Sequence, residues 1–216
     1  MDAMDNCTDS KDRILDKAEA LFAEKGFHAV TVREITQAAH CNLAAVNYHF
    51  GNKQNLYLEV FRTRWMPRAR RVQACFKDVL STQDGRSLAG IVHALAEAFL
   101  KGPLTDDERL CHSQLMIREM AKPGLATDML VDEVIKPFFG DLVVLLGPYL
   151  PENGERERVM LDIVSIFAMV IYFNFARVPV TRVTGQEYDE VFKERLVEHI
   201  VRFCLKGLDM DKKEGA

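Results

Sequence analysis

The stretch TVREITQAAHCNLAAVNYHFGNKQNLYLEVF, residues 31–61, constrains this chain more than any other. Thr31 and Glu34 have the T-x-x-E spacing in which side chains satisfy the orphan backbone donors of a helix start, with Val32, Ile35 and Ala39 on the inner face. Asn42 predicts a second start, Val46 and Phe50 stand four apart, and Gly51 marks a stop. Before them, Ile14, Ala18, Leu21 and Phe22 share one face of a helix expected over 10–25, which Gly26 ends. Three short helices within about fifty residues, the last two joined by a tight turn at Ala39-His40-Cys41, form a helix-turn-helix layout. Such a unit closes a small core from Leu21, Phe22, Val32, Ile35, Val46 and Phe50. The other side of its third helix then faces outward, as a major-groove reader does.

The outward residues have chemistry suited to that task. Leu43 and Ala44 can touch a thymine methyl, and the Asn47 amide can pair with an adenine edge. Tyr48 and His49 carry donors for phosphate at the end of the helix. Lys53, beside the free N–H groups of a fourth helix, makes a further anion site, and Thr31 at the start of the second helix another. Arg33 and Asn42, at the starts of the second and third helices, complete the candidate DNA-binding set: Thr31, Arg33, Asn42, Leu43, Ala44, Asn47, Tyr48, His49 and Lys53.

Charge agrees. Residues 1–79 hold 12 Lys/Arg and 10 Asp/Glu, while 80–216 hold 16 and 22, so an acidic body follows a mildly basic start. Within 26–77, eight basic residues face only Glu34 and Glu59. Arg68, Arg70 and Arg71 are expected on a solvated face.

The rest of the chain also reads as helices, about nine in all: one from near Asn52 to Leu80 with a kink at Pro67, then 86–101, 105–121, 125–148 bent at Pro137, 155–176 and 187–207. Gly85, Pro103, Pro123-Gly124, Pro151 and Asn153-Gly154 punctuate the gaps. Val178–Gln186 is expected to be a loop and the tail from Asp209 disordered. The fold class is therefore all-α, with a DNA-binding headpiece over 1–54 and a regulatory, ligand-binding and dimerising body over 55–216.

No nucleophile–base pair, phosphate loop or metal-ligand spacing is present, so catalytic, metal and cofactor sites are not expected. Five scattered cysteines without a C-x-x-C pair fit a reducing compartment. The start is acidic and polar, unlike a secretory signal. The longest apolar run, 163–175, is broken by Ser165 and Asn174, so no membrane span is expected and a cytoplasmic protein is.

The 31–61 stretch, with ILDKAEALFAEKGF before it, resembles the headpiece of the TetR/AcrR family of bacterial regulators. Ala18, Leu21, Phe22, Gly26, Thr31, Ile35, Ala38, Ala39, Val46, Tyr48, Phe50, Lys53 and Leu56 carry the match. The chain departs from the family at His40, where glycine is usual, and at Asn47, where tyrosine is common. The segment 114–139 is similar to one subgroup of the family. The resemblance implies phosphate contacts at Thr31, Tyr48, His49 and Lys53, and base contacts at Leu43, Ala44 and Asn47. It also implies a small-molecule effector cavity in the body, a headpiece spacing that the effector shifts, and a homodimer through helices near 155–176 and 187–207. Bulky and polar residues of the body give the effector candidates Phe99, His112, Leu115, Met116, Arg118, Phe138, Met169, Phe173 and Asn174. Along the two dimer helices the expected stripes are Ile163, Ile166, Phe167, Val170, Ile171 and Asn174, and Val191, Phe192, Leu196, His199, Ile200 and Phe203. The function implied is a sequence-specific regulator, by family habit a repressor released by a mostly apolar ligand. The alternatives are a body that binds a protein partner instead, and a redox sensor using Cys41 or Cys111.

Overall fold

The computed structural model describes residues 2–82, 87–150 and 156–213. Among them every regular element is a helix, as the periodicity requires. They form two compact units. One takes the chain up to Ala69 together with Leu104–Val134, and the other takes Arg70–Pro103 together with the chain from Ile135. A cut at 54/55 would fall inside a helix of the first unit, and that unit recruits a later piece of chain to complete its core.

The first unit holds α1 (Asp2–Lys25), α2 (Val32–Ala38), α3 (Leu43–Phe50) and α4 (Lys53–Val60). A π-helical stretch, Phe61–Trp65, leads into α5 (Met66–Thr82). The later piece is α7 (Asp106–Ala121) and α8 (Thr127–Leu130). Phe22, Ile35, Val46 and Phe50 are buried together as expected, but so are Leu56, Tyr57, Phe61, Trp65, Leu115 and Leu130. The small core anticipated from three helices is closed by α4 and α7. Salt bridges tie it further: Arg68 forks onto the largely buried Glu19 carboxylate and reaches Glu108 at 3.5 Å, and at the surface Arg64 holds Asp12 and Asp16 at 3.0 Å each. Arg68 is thus not on a solvated face. Its planar fork matches a carboxylate, and Glu19 on α1 is the partner.

In the second unit α6 (Leu88–Leu100) is the central helix. Ile91, Val92, Leu95, Ala98 and Leu100 are buried, so it is apolar nearly all round. Around it lie α9 (Lys136–Leu146), α10 (Arg156–Phe175) and α12 (Glu190–Lys213), with α11 (Arg177–Thr184) joined to α10. Phe99, Phe138 and Phe139 each pack on Phe167 at 5.1–5.7 Å between ring centroids, and Phe76 of α5 meets Phe138 at 6.0 Å.

Two local expectations are corrected, and a third acquires a local structure. Val178–Gln186 is not a loop: α11 covers 177–184 and ends at Gly185, whose φ of +67° closes it in the left-handed region. Pro179 is tolerated because it stands in the first turn, where its missing N–H breaks no intrahelical bond. The last helix runs on to Lys213, since no breaker follows Gly207. Pro67 and Pro137 each follow a π-helical stretch, Phe61–Trp65 and Val131–Ile135, by two residues. The Met66 N–H donates to Phe61 O, so the widened turn takes up the proline's steric conflict inside a continuing helix. The breaks expected at Gly85, Pro151 and Asn153-Gly154 lie outside the described residues.

A further correction concerns α10. Its stretch Glu157–Phe175 has mean hydropathy 1.7 and is, by length and composition alone, long and apolar enough to cross a membrane, although only 17% of it is buried in this chain. The helix starts upstream of Ile163, and single Ser and Asn residues do not interrupt it. Ile163, Ile166 and Val170 point inward, as do Phe192, Leu196 and Ile200 of α12. What stays exposed on α10 is a different stripe: Leu161, Val164, Ala168, Tyr172 and Phe175.

Candidate nucleic-acid interface

The start of α2 is fixed by its own sequence. The Glu34 N–H donates to Thr31 Oγ1 at 3.2 Å, and the Thr31 N–H and Oγ1 donate to Glu34 Oε2 at 2.7 and 2.9 Å. These bonds hold the Glu34 carboxyl below its ordinary 4.5, with the Thr31 backbone bond foremost. A depressed folded pKa contributes stability that is full above 4.5 and is lost as pH falls through the lower folded value. The Thr31 amide resonance should therefore move in that acid range in the wild type and stay flat in Glu34→Gln. The Thr31 hydroxyl, spent on the cap, serves to set the helix start.

Between α2 and α3 the chain must reverse within three residues. His40 alone among the described non-glycine residues has a φ in the left-handed region, +51°. This is where the family has glycine, and histidine is among the side chains that tolerate the region better. The Cys41 N–H bonds Thr36 O at 3.0 Å, and Asn42 Oδ1 then caps α3 by accepting from Ala45 N–H at 2.9 Å. Gly51, at φ +77°, ends α3, and Asn52 Oδ1 caps α4 through Asn55 N–H at 2.8 Å.

With Val46 and Phe50 anchored inside, α3 turns Asn42, Leu43, Ala44, Asn47 and Tyr48 to solvent. Tyr48 is 79% exposed and Leu43 55% exposed. The Tyr48 ring stands open rather than half-packed on α4; its near neighbour is His49, edge to face at 5.1 Å. Apolar and aromatic surface left open on so short a helix points to a partner. Arg33 is exposed on α2. His49 is half-buried, its Nε2 hydrogen-bonded to Ser10 Oγ at 2.9 Å. Lys53 is half-buried as well: its Nζ donates to Val30 O at 2.6 Å and lies 4.3 Å from the Phe27 ring centroid, and burial lowers its pKa. The carbonyl takes one of three ammonium donors, leaving the others for a phosphate.

Three of the eight basic residues counted in the sequence are spent elsewhere, on the ion pairs of Arg64 and Arg68 and on Lys77–Asp141 at 3.2 Å.

The effector candidates divide. His112, Leu115, Met116 and Arg118 belong to the first unit, and Phe99, Phe138, Met169, Phe173 and Asn174 to the second. Leu115 is fully buried in the core. The Arg118 fork is turned to α1, where Nε donates to Ala23 O at 2.8 Å and Nη2 to Glu24 O, capping its carboxyl end. His112 stacks on Trp65, with ring centroids 4.4 Å apart, and its carbonyl accepts from Trp65 Nε1 at 3.0 Å. Phe99 and Phe138 meet in the aromatic cluster around Phe167, a residue that sequence reasoning placed only on the dimer stripe. Burial raises the pKa of the Cys41 and Cys111 thiols, which disfavours the thiolate a redox sensor needs.

Comparison with known proteins agrees with the headpiece geometry. Residues 14–60 match the bacterial regulatory proteins of the tetR family, and residues 88–208 match the C-terminal domain of the HTH-type transcriptional dual regulator CecR. The chain is 40% identical over 213 residues to the HTH-type transcriptional repressor AcnR of Corynebacterium glutamicum, covering 93% of this chain and 96% of that protein. It is 25% identical over 211 residues to CecR of Shigella flexneri, covering 92% of each. Among solved structures, AibR in complex with isovaleryl coenzyme A and operator DNA superposes with a TM-score of 0.63 at 15% identity, covering 89% of this chain and 96% of that one. The fatty acid degradation regulator FadR of Bacillus halodurans does so at 0.60 and 17%, covering 92% and 96%. With a helix-turn-helix frame presenting an open α3 face, and with family matches over both the headpiece and the body, the chain belongs to the TetR family of transcriptional regulators.

Proposed function

We propose that this regulator is a cytoplasmic repressor, not an enzyme, that binds a two-fold operator as a homodimer and leaves it when a small, mostly apolar effector binds the body. The open face of α3 carries the reading. Leu43, Ala44 and Asn47 face base edges, while Arg33, Tyr48, His49 and Lys53 hold phosphates and Thr31 and Asn42 fix the two helix starts. Two such helices about 34 Å apart match successive major grooves, which a two-fold dimer provides.

The dimer forms through α10 and α12. The α10 stripe at Leu161, Val164, Ala168, Tyr172 and Phe175 advances by three and four residues alternately enough to average half a heptad, the pattern of a helix–helix seam. Val191 and Phe203 of α12 are exposed too. Burial of this face by a second copy, and not by lipid, accounts for so apolar a helix in a DNA-binding protein. In the second unit, Phe99, Phe138, Met169, Phe173 and Asn174 are the residues proposed to meet the effector. Aromatic side chains and one amide suit an apolar molecule with a single polar group. AibR, whose structure holds isovaleryl coenzyme A and operator DNA together, supports an effector-bound regulator of this fold. The effector acts by its differential affinity for two headpiece spacings, and a coupling of about 1–3 kcal/mol corresponds to roughly 5–150-fold in operator affinity.

The test is a salt series of binding to the DNA upstream of the chain's own gene. Asn47→Ala should cost about 1–3 kcal/mol and relax the preference at one base position, whereas Lys53→Ala should weaken binding to all sequences and flatten the salt slope by about one. Equally weak binding of any DNA by wild type and variants alike would overturn the reading.

A further inference from the structure

Within the first unit a half-open cleft of about 730 Å³ lies between the α1–α2 loop, α4 and the end of α7 with the loop after it. It is separate from the residues of the second unit proposed to meet an effector, and nothing in the operator reading accounts for it. Its volume is in the range of metabolite sites.

The lining is chemically asymmetric. Lys25, Arg118 and Lys122 bring three cations, against one carboxylate, Glu119. That carboxylate is already satisfied by four donors: Tyr57 Oη at 2.8 Å, Ala126 N at 2.8 Å, Thr127 Oγ1 at 2.9 Å and Gly124 N at 3.1 Å. Lys25 has a partner in Glu34, at 3.4 Å. Arg118 spends Nε and Nη2 on the α1 carbonyls, which leaves Nη1 beside Gly26. Lys122 is exposed and makes no ion pair among the described residues. On the other side, the rings of Phe27 and Tyr57 stand 5.0 Å apart and give the cleft an aromatic wall.

We propose that this cleft binds a small organic anion, a ring or short apolar group bearing a carboxylate or phosphate. The ring lies against Phe27 and Tyr57, and the charge is met by Arg118 Nη1 and Lys122. A guanidinium and an ammonium together suit such a group, one as a directional donor and the other as a mobile point charge. The place also gives the site a direct hold on the headpiece. The lining loop, Lys25–Ala29, runs into Val30, whose carbonyl holds the Lys53 ammonium, and Phe27 lies under that same ammonium. An occupant therefore touches the mount of a DNA-facing lysine and the lead-in to the α2 cap.

The test needs no DNA, so its outcome is independent of the operator reading. The full ¹⁵N-labelled chain is titrated with phthalate and, separately, phenyl phosphate, with dimethyl phthalate as the neutral control. Saturable shifts are expected at the amides of Gly26, Phe27, Lys122 and Gly124 for at least one anion, with Kd on the order of 1 mM. Lys122→Glu, at an exposed position, should keep the remaining spectrum and weaken binding by about tenfold or more. The proposal is overturned if neither anion saturates these amides by about 10 mM, if the neutral ester binds as well, or if Lys122→Glu binds unchanged. The carboxylate and phosphate arms distinguish the two sources of the anion.

Discussion

Replacing Glu119 by alanine should lower the unfolding free energy of the headpiece unit by about 3–5 kcal/mol, a large share of what a domain this size possesses. The carboxylate is 3% exposed and accepts from four donors belonging to α4, the α7–α8 loop and α8. Alanine leaves the Tyr57 hydroxyl and the Ala126 N–H buried without an acceptor, each at about 1–3 kcal/mol. Urea unfolding should show the midpoint shift, and the melting temperature should fall by roughly 10–20 °C. Tyr57→Phe removes one donor with its bond and should cost only about 1–2 kcal/mol. Burial, with Glu119 beside it, pushes the Tyr57 phenol well above its ordinary 10, so it remains a donor across the physiological range. If Glu119→Ala costs no more than Tyr57→Phe, the carboxylate is not the organising acceptor of this joint. Glu119→Gln separates shape from charge: the amide keeps one oxygen but points an NH₂ at donors, so most of the loss should persist.

The second large effect lies in the other unit. A Leu161→Glu, Tyr172→Glu double variant places two charges on the exposed α10 stripe, which a two-fold contact meets twice. Sedimentation should show a dimer for the wild type and a monomer for the double variant. Operator affinity should then drop by about 10²–10⁴-fold, because the second half-site no longer binds as part of the same molecule. Circular dichroism should be unchanged, since both side chains are exposed in the single chain. Val144→Glu on α9, an equally open apolar position, is the matched control and should leave the dimer intact. A double variant that still sediments as a dimer places the interface elsewhere. A variant that becomes monomeric yet binds the operator at full strength breaks the link between dimer and operator instead.

Much of the headpiece geometry was legible because it is local. Thr31 with Glu34, and Asn42 with its own third amide, are bonds between residues three apart, and spacing alone encodes them. His40 is legible for the same reason, since a left-handed turn constrains one residue's backbone. Periodicity of 3.6 gave the inner faces of α1–α3 without knowledge of what they meet. The destinations of long side chains were not legible. Arg68 read as surface charge, yet its partner is Glu19, and the partners of Arg64 are Asp12 and Asp16, all some fifty positions away. The Arg118 guanidinium is another case: two of its donors reach carbonyls of a helix that ends more than ninety positions earlier, a partnership no local spacing encodes.

By itself, then, the sequence determined the helix-turn-helix, its caps and stops, the outward residues of α3 and the all-helical class, because each depends on interactions within one or two helical turns. Only the tertiary structure decided which chain segments share a core, since α7 and Leu115 close the headpiece from beyond an intervening part of the second unit. It also decided which face of α10 remains open. An apolar helix offers several faces of similar hydrophobicity, and the one that stays exposed is whichever its neighbours leave uncovered.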